Sequence, residues 1–345
     1  MSVTSTSRKP GLNIPSQPPS LESIYRLVKD DFSAVNCLIP TRLTSDVDLV
    51  EEIGRYILES GGKRLRPMLV LLSSKALGYT GSHHISLAAI IEFLHTATLL
   101  HDDVVDHSML RRGKTTANAA WGNAPSVLVG DFLYSRAFQL MVELGSMPIM
   151  GVLSNATNAI AEGEVMQLAN VGNADIDENQ YREVIRCKTA LLFEAATHTG
   201  ALLAHGERSS SNDAQLEAMR MFGLHFGTAY QLIDDWLDYM GDTATMGKNP
   251  GDDLAEGKLT LPVIQALRMG SNSQQKIIRE AIAQRSSDHL PTIRQIVNET
   301  GALSYTKDAA ASAGETAIAH LQRLTPNAYS EAMADLTEYS LSRLG

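Results

Sequence analysis

Cysteine is scarce in this chain: two in 345 residues, Cys37 and Cys187, with no Cys-x-x-Cys spacing. That excludes a disulfide framework and a thiolate metal site, and both residues read as reduced core side chains of a cytoplasmic protein. Excess positive charge is also missing, since 29 Lys and Arg stand against 39 Asp and Glu, a formal charge of −10. A nucleic-acid binder would need a basic stripe; here the cations come in small clusters, which suit compact anions. Nowhere do 18 consecutive apolar residues occur, so no segment reads as a transmembrane span. Alternating runs of Val, Ile and Thr are absent, as are Asn-Gly and Asp-Gly turns, which removes the usual signals of strands and hairpins. The fold class expected is all-α.

What is present, 44% hydrophobic and 20% charged residues, supports one large core or two smaller ones. Residues 1–20 are rich in Ser, Thr and Pro with only Arg8 and Lys9 charged, so they read as a disordered extension. They lack the amphipathic arginine face of a transit peptide. Helical periodicity then predicts elements over 21–37, 45–59, 65–76, 84–106, 124–145, 149–169, 178–204 and 213–240, with shorter ones over 260–268, 275–285, 291–300, 304–323 and 327–343. No break between them is long enough for an interdomain linker, so 21–345 reads as one domain.

The stretch from Glu92 to Gly113 organises the chain. An apolar helix runs without Pro or Gly into Asp102, Asp103 and Asp106, and at 100° per residue Asp102 and Asp106 share a face with Asp103 beside them. Carboxylates at a helix C-terminus oppose the macrodipole. Two of them ~5.5 Å apart repel by about 3 kcal/mol at an effective dielectric of 20, so a cleft there needs a cation. The same Asp-Asp-x-x-Asp spacing returns 132 residues later as Asp234, Asp235 and Asp238, again following an apolar helix. One such triplet is compatible with a solvated helix end; two in one helical chain point to a shared site. Carboxylate oxygens alone select a hard ion that keeps water and binds phosphate, hence Mg²⁺ over Zn²⁺.

Basic residues fit that picture. Gly61 and Gly62 let Lys63 and Arg66 project toward one anion, and Arg111, Arg112 and Lys114 flank the first triplet, where guanidinium forks can clamp phosphate oxygens. Lys188 and Thr189 lie in a helical segment and by themselves say little. The stretch from Gly247 and Lys248 to Gly257 and Lys258 reads as a loop that closes over phosphate.

Taken in order, Gly-Gly-Lys-Arg-x-Arg-Pro at 61–67, His95, the triplet at 102–106, Arg-Arg-Gly at 111–113, Lys-Thr at 188–189, Gln231 with the second triplet, and the two Gly-Lys pairs resemble the trans-prenyl diphosphate synthases. The runs from Glu92 to Asp106 and from Gly163 to Gln167 are most like the bacterial octaprenyl diphosphate synthases. The resemblance covers 21–345. It implies an isoprenoid-synthase-type bundle of antiparallel helices around a central cavity, a homodimer, and three Mg²⁺ ions between the aspartate motifs. By it Asp102, Asp106 and Asp234 hold metal, with Asp103, Asp235 and Asp238 completing the motifs. Lys188, Lys248, Lys258 and Arg111 grip the allylic diphosphate; Lys63, Arg66, His95 and Arg112 hold isopentenyl diphosphate; Gln231 and Thr189 support the site. The implied product is a quinone side-chain precursor of about C40, made from farnesyl diphosphate, with C45 as the neighbouring outcome and a transient membrane contact on release.

Product length has its own residues. Ala97 and Thr98 sit five and four residues before Asp102, about 7.5 and 6 Å deeper along the helix, and both are small enough to let a chain pass. Met141 and Leu153 are the expected floor. Two rivals are weaker. A di-iron carboxylate bundle would need a second Glu-x-x-His besides Glu92 to His95. A non-catalytic partner subunit would be expected to have lost a triplet, and both are intact.

Overall fold

Ser20 caps the first described helix: its hydroxyl accepts the Ser23 N–H at 3.2 Å, a side-chain N-cap. The computed structural model describes residues 20–206, 213–240 and 251–344. Residues 1–19 of the expected extension and Lys248 of the expected closing loop lie outside the described residues. The first expected helix is two, α1 (Leu21–Leu27) and α2 (Lys29–Arg42), because Val28 leaves helical geometry at φ −115°, ψ 21°. Then come α3 (Asp48–Glu59), α4 (Leu65–Ala76) and α5 (His83–Val105).

A small antiparallel hairpin follows, β1 (Leu110–Arg111) with β2 (Lys114–Thr115). It corrects the expectation of no hairpin. Arg112 and Gly113 at its tip both have positive φ, 54° and 74°, the pattern of a two-residue primed turn. An arginine in the first left-handed position hides that turn from the Asn-Gly signal. The chain continues through α6 (Ala117–Trp121), α7 (Asn123–Leu144), α8 (Met147–Asn170) and α9 (Glu178–Ile185). A π-helical turn, Arg186–Ala190, joins α9 to α10 (Leu191–His205), and α11 (Asp213–Met240) packs along it. The remainder is α12 (Asp252–Ala255), α13 (Leu261–Met269), α14 (Asn272–Gln284), α15 (Leu290–Glu299), α16 (Ala302–Leu321) and α17 (Ala328–Leu341), closed by a 3₁₀ turn, Ser342–Leu344.

Two apolar cores stabilise this arrangement. One gathers Leu69, Leu71, Leu87, Phe93, Leu133, Leu153 and Phe193 from α4, α5, α7, α8 and α10. The other gathers Leu261, Ile278, Ile293 and Val297 from α13 to α15. Helix α11 belongs to both, with Phe222 and Phe226 in the first and Leu232 and Ile233 in the second. Its acidic end, with Trp236, Leu237 and Tyr239, packs with the second. Helix α5 is long and apolar enough by composition to cross a membrane, yet 67% of that window is buried in the protein, which makes it a core helix.

Candidate active site between two aspartate-rich helix ends

Helix α5 stops at Asp106, whose N–H returns to the Asp102 carbonyl at 2.8 Å. The three carboxylates then part company. Asp103 is fully buried and accepts Arg111 Nε and Nη2 on one oxygen at 2.7 and 2.6 Å. Burial pushes its carboxyl up, and the guanidinium opposes that. Asn118 Nδ2 donates to the Asp103 carbonyl at 3.1 Å and to that of Ser108 at 3.2 Å, so the hairpin is fastened back onto the helix end. Asp102 and Asp106 keep 15% and 16% side-chain exposure and meet lysines: Lys188 Nζ lies 3.8 Å from Asp102 Oδ2, and Lys258 Nζ 2.8 Å from Asp106 Oδ1.

Both lysines are set by backbone devices. Lys188 lies on the π turn and donates to Glu164 Oε2 at 2.7 Å and Gln167 Oε1 at 2.8 Å on α8. Thr189 donates to Gln231 Oε1 at 2.6 Å on α11, and Gln231 Nε2 passes a bond to Asp235 Oδ1 at 2.7 Å. Lys258 follows α12, anchored by its own N–H on the Asp253 carbonyl at 2.8 Å and by the Gly172 N–H on the Gly257 carbonyl at 2.9 Å. Its Nζ also meets Glu256 Oε2 at 2.6 Å. Burial, offset by Lys258 and reinforced by Asp106, pushes Glu256 up to about 7. A cavity of about 110 Å³ opens between these groups, lined by Lys188, Thr189, Gln231, Asp235, Asp253 and Lys258.

The second triplet also divides, with two carboxylates buried where the first has one. Asp235 is 2% exposed and is also bonded by the Tyr181 hydroxyl, and Asp238 is fully buried. Asp234 keeps 33% side-chain exposure and accepts Arg343 Nη1 at 3.1 Å. In each motif, then, the part-exposed carboxylates meet cations, while the buried Asp103 and Asp235 accept hydrogen bonds from Arg111 and from Tyr181 and Gln231. Among the described residues no three Asp, Glu, His or Cys side chains converge tightly enough to cage a metal. The donor set that remains, part-exposed carboxylates facing displaceable lysines, fits Mg²⁺, which is bound through one or two carboxylates plus substrate phosphates rather than an all-protein cage.

A separate basic pocket of about 50 Å³ brings together Lys63, Arg66, His95 and Arg112 with Glu92 and Tyr230. Arg66 reaches within 3.3 Å of His95 Nε2 and stacks 4.1 Å over the Phe193 ring, and burial lowers it to about 10. Burial and then the charges of Arg66, Arg112 and Arg111 hold His95 well below the usual imidazole range. Arg112 donates to the Gly61 carbonyl. Gly62 has φ 130°, a backbone conformation that favours glycine, and the absence of a side chain leaves the Arg112 guanidinium free to lie against it. Arg343 faces Tyr230 from 5.7 Å.

The structure brings together Asp102, Asp106, Lys188, Thr189, Gln231, Asp235 and Lys258 around one site and Lys63, Arg66, His95 and Arg112 around the other. It pairs Arg111 with the buried Asp103 at the base of the hairpin. Ala97, Met141 and Leu153 are buried in the first core, while Thr98 is part-exposed and ties its hydroxyl to the His95 carbonyl at 2.8 Å. Sequence reading missed Arg343, Glu164 and Glu256. Glu164 and Gln167 carried a signal, since residues three apart share a helix face; a single arginine near the end of the sequence carried none.

Residues 47–300 match the polyprenyl synthetase family model. The octaprenyl diphosphate synthase of Escherichia coli (strain K12) is 48% identical over 94% of this chain and 99% of its own length. The all-trans-nonaprenyl-diphosphate synthase (geranyl-diphosphate specific) of Rhodobacter capsulatus is 44% identical over 94% and 98%. Among solved structures, a polyprenyl synthase from Caulobacter crescentus CB15, complexed with calcium and isoprenyl diphosphate, superposes with a TM-score of 0.88 at 42% identity, covering 96% of this chain and 100% of that one.

Proposed function

The chain belongs to the polyprenyl synthetase family, and from that premise we propose that it is a long-chain trans-polyprenyl diphosphate synthase with an octaprenyl (C40) product built from farnesyl and isopentenyl diphosphates. The observation that carries the reading is the double bridge in which Lys188 reaches Asp102 and Lys258 reaches Asp106 while both lysines line one cavity with Asp235. Oppositely charged groups arranged in that way accept a diphosphate by exchanging lysine–carboxylate contacts for lysine–phosphate ones.

The chemistry asks for little beyond charge. Ionising an allylic C–O bond leaves a carbocation and a pyrophosphate anion, so stabilising the leaving group is the main task. Lys188 and Lys258 supply positive charge at that anion, and Asp102, Asp106 and Asp234 are the carboxylates that would hold Mg²⁺. When bound, the metal withdraws electrons from the leaving phosphate oxygens. Lys63, Arg66 and Arg112 hold the second diphosphate, with neutral His95 as a hydrogen-bonding partner. The isopentenyl double bond attacks the cation, and the proton leaves to the departed pyrophosphate, which makes a protein base unnecessary.

Residues 21–345 act as one domain in this reading, the enzyme is cytoplasmic, and its product feeds quinone side-chain synthesis. The same reading makes it a homodimer, whose interface would cover exposed apolar side chains of α7 and α8 such as Leu128, Val142, Met147 and Val165. A C45 product is the second reading, favoured by the nonaprenyl relative. Incubation with farnesyl diphosphate, isopentenyl diphosphate and Mg²⁺ followed by sizing of the product tests the assignment. A C40 chain is expected, and the absence of any product beyond C20 overturns it.

A further inference from the structure

Lys188 and Thr189 are consecutive, yet they engage two different helices, Lys188 on α8 and Thr189 on α11. The turn that carries them, Arg186–Ala190, is π-helical, a single-turn bulge whose hydrogen bonds close one residue later than those of an α-helix. Both neighbours are cut away to receive it. A Cβ on Gly163 of α8 would stand 2.6 Å from Cys187 Cβ and 3.3 Å from Lys188 N; one on Gly227 of α11 would stand 2.6 Å from Ala190 Cα. Each glycine sits four residues, one helical turn, before the glutamine that catches the bulge: Gly163 before Gln167, and Gly227 before Gln231.

We infer that Gly163 and Gly227 are positioning residues that clasp the π turn and set how deep Lys188 and Thr189 enter the site. A side chain at either place lifts the turn off one helix. The lysine then loses register with Glu164, Gln167 and Asp102, and the threonine with Gln231 and Asp235. This inference rests on the reading of Lys188 as a diphosphate ligand.

The test measures affinity for inorganic pyrophosphate in the presence of Mg²⁺ by calorimetry, with thermal melts alongside. Lys188→Ala is the reference: if it leaves affinity unchanged, the reading of Lys188 fails. Gly163→Ala is expected to weaken pyrophosphate binding about as much as Lys188→Ala, and to lower kcat by roughly 10- to 100-fold, as expected of a displacement of about 1 Å. Because the overlap is between two Cβ atoms, Gly163→Ala combined with Cys187→Gly restores affinity, whereas Gly163→Ala combined with Cys187→Ala, which keeps the Cβ, does not. Wild-type affinity in Gly163→Ala beside a weakened Lys188→Ala overturns the clasp while leaving the lysine's role intact. Equal rescue by both Cys187 changes, or rescue by neither, overturns it too. Should Gly163→Ala prove insoluble, the Gly163→Ala, Cys187→Gly pair decides directly: recovery of soluble enzyme with wild-type affinity supports the clasp, and continued insolubility refutes it.

Discussion

Lys258 holds its ammonium 2.8 Å from Asp106 Oδ1 and 2.6 Å from Glu256 Oε2, with only 11% of its side chain exposed. One lysine thus keeps two carboxylates, drawn from remote parts of the chain, from facing each other bare. Lys258→Ala is expected to destabilise the metal-free protein by roughly 3 kcal/mol, the order for breaking a buried pair. Mg²⁺ can take over as counter-charge, so its addition should raise the Tm of Lys258→Ala more than that of the wild type. Equal shifts in the two proteins would refute this role.

The aspartates should separate into two classes. Asp102→Asn, Asp106→Asn and Asp234→Asn remove part-exposed carboxylates, and each is expected to raise the Mg²⁺ concentration needed for half-maximal rate and to lower kcat by about 10²-fold or more. Asp103→Asn instead frees Arg111 and loosens the hairpin, so its Tm falls while its Mg²⁺ requirement stays near wild type. Mg²⁺ titrations of activity, paired with melts, distinguish the classes; a wild-type requirement in all three outer variants would show that those carboxylates do not hold the ion.

Helix positions were legible because apolar residues recur at helical spacing, and the repeated acidic triplet marked two helix ends as partners. What the sequence conceals has identifiable physical reasons. The division of each triplet into buried and part-exposed carboxylates depends on partners that no local pattern reveals, Arg111 across a hairpin and Tyr181 on another helix. The π turn is invisible because its residues, Arg-Cys-Lys-Thr-Ala, suit an ordinary α-helix as well. Arg343 and Asp234 lie 109 positions apart in the sequence, so no local pattern pairs them.

His95 supplies a pH prediction with a definite sign. Its folded-state pKa lies well below the usual imidazole value, through burial and then the neighbouring charges of Arg66, Arg112 and Arg111, so the native state binds fewer protons than the unfolded one in acid. The stability it contributes is complete above about pH 6.5 and is lost as the pH falls below that value. His95→Gln keeps a neutral hydrogen-bonding side chain and should lose less Tm than wild type between pH 7 and 5. In the free enzyme the ring stays uncharged, so kcat/KM for isopentenyl diphosphate should show no step near pH 6.5 that His95→Gln abolishes.

Arg343 lies between the two sites, bonded to Asp234 and facing Tyr230, and its charge also opposes that of Lys63. Arg343→Ala is expected to raise KM for isopentenyl diphosphate by about tenfold, the worth of one charge-assisted contact, with little change in Tm. Unchanged kinetics would reduce the contact to a surface ion pair.

Product length is the most demanding test of the proposed function. Ala97 lies fully buried on α5, five residues before Asp102, so a side chain there acts about 7.5 Å below the first carboxylate. Each added five-carbon unit gains up to roughly 4 kcal/mol by burial, and elongation continues until something blocks it. Ala97→Phe, and Thr98→Phe from the part-exposed neighbouring position, should therefore end synthesis well short of eight units. Crowding the core costs about 1–3 kcal/mol of stability at the same time. Met141→Ala and Leu153→Ala work the other way. Both residues are packed in the first core, so each truncation is expected to cost about 2–5 kcal/mol whatever its role, and only the product separates the alternatives. If these side chains form the floor, the distribution moves to longer chains; if they are core packing alone, the Tm falls and the product length stays where it was.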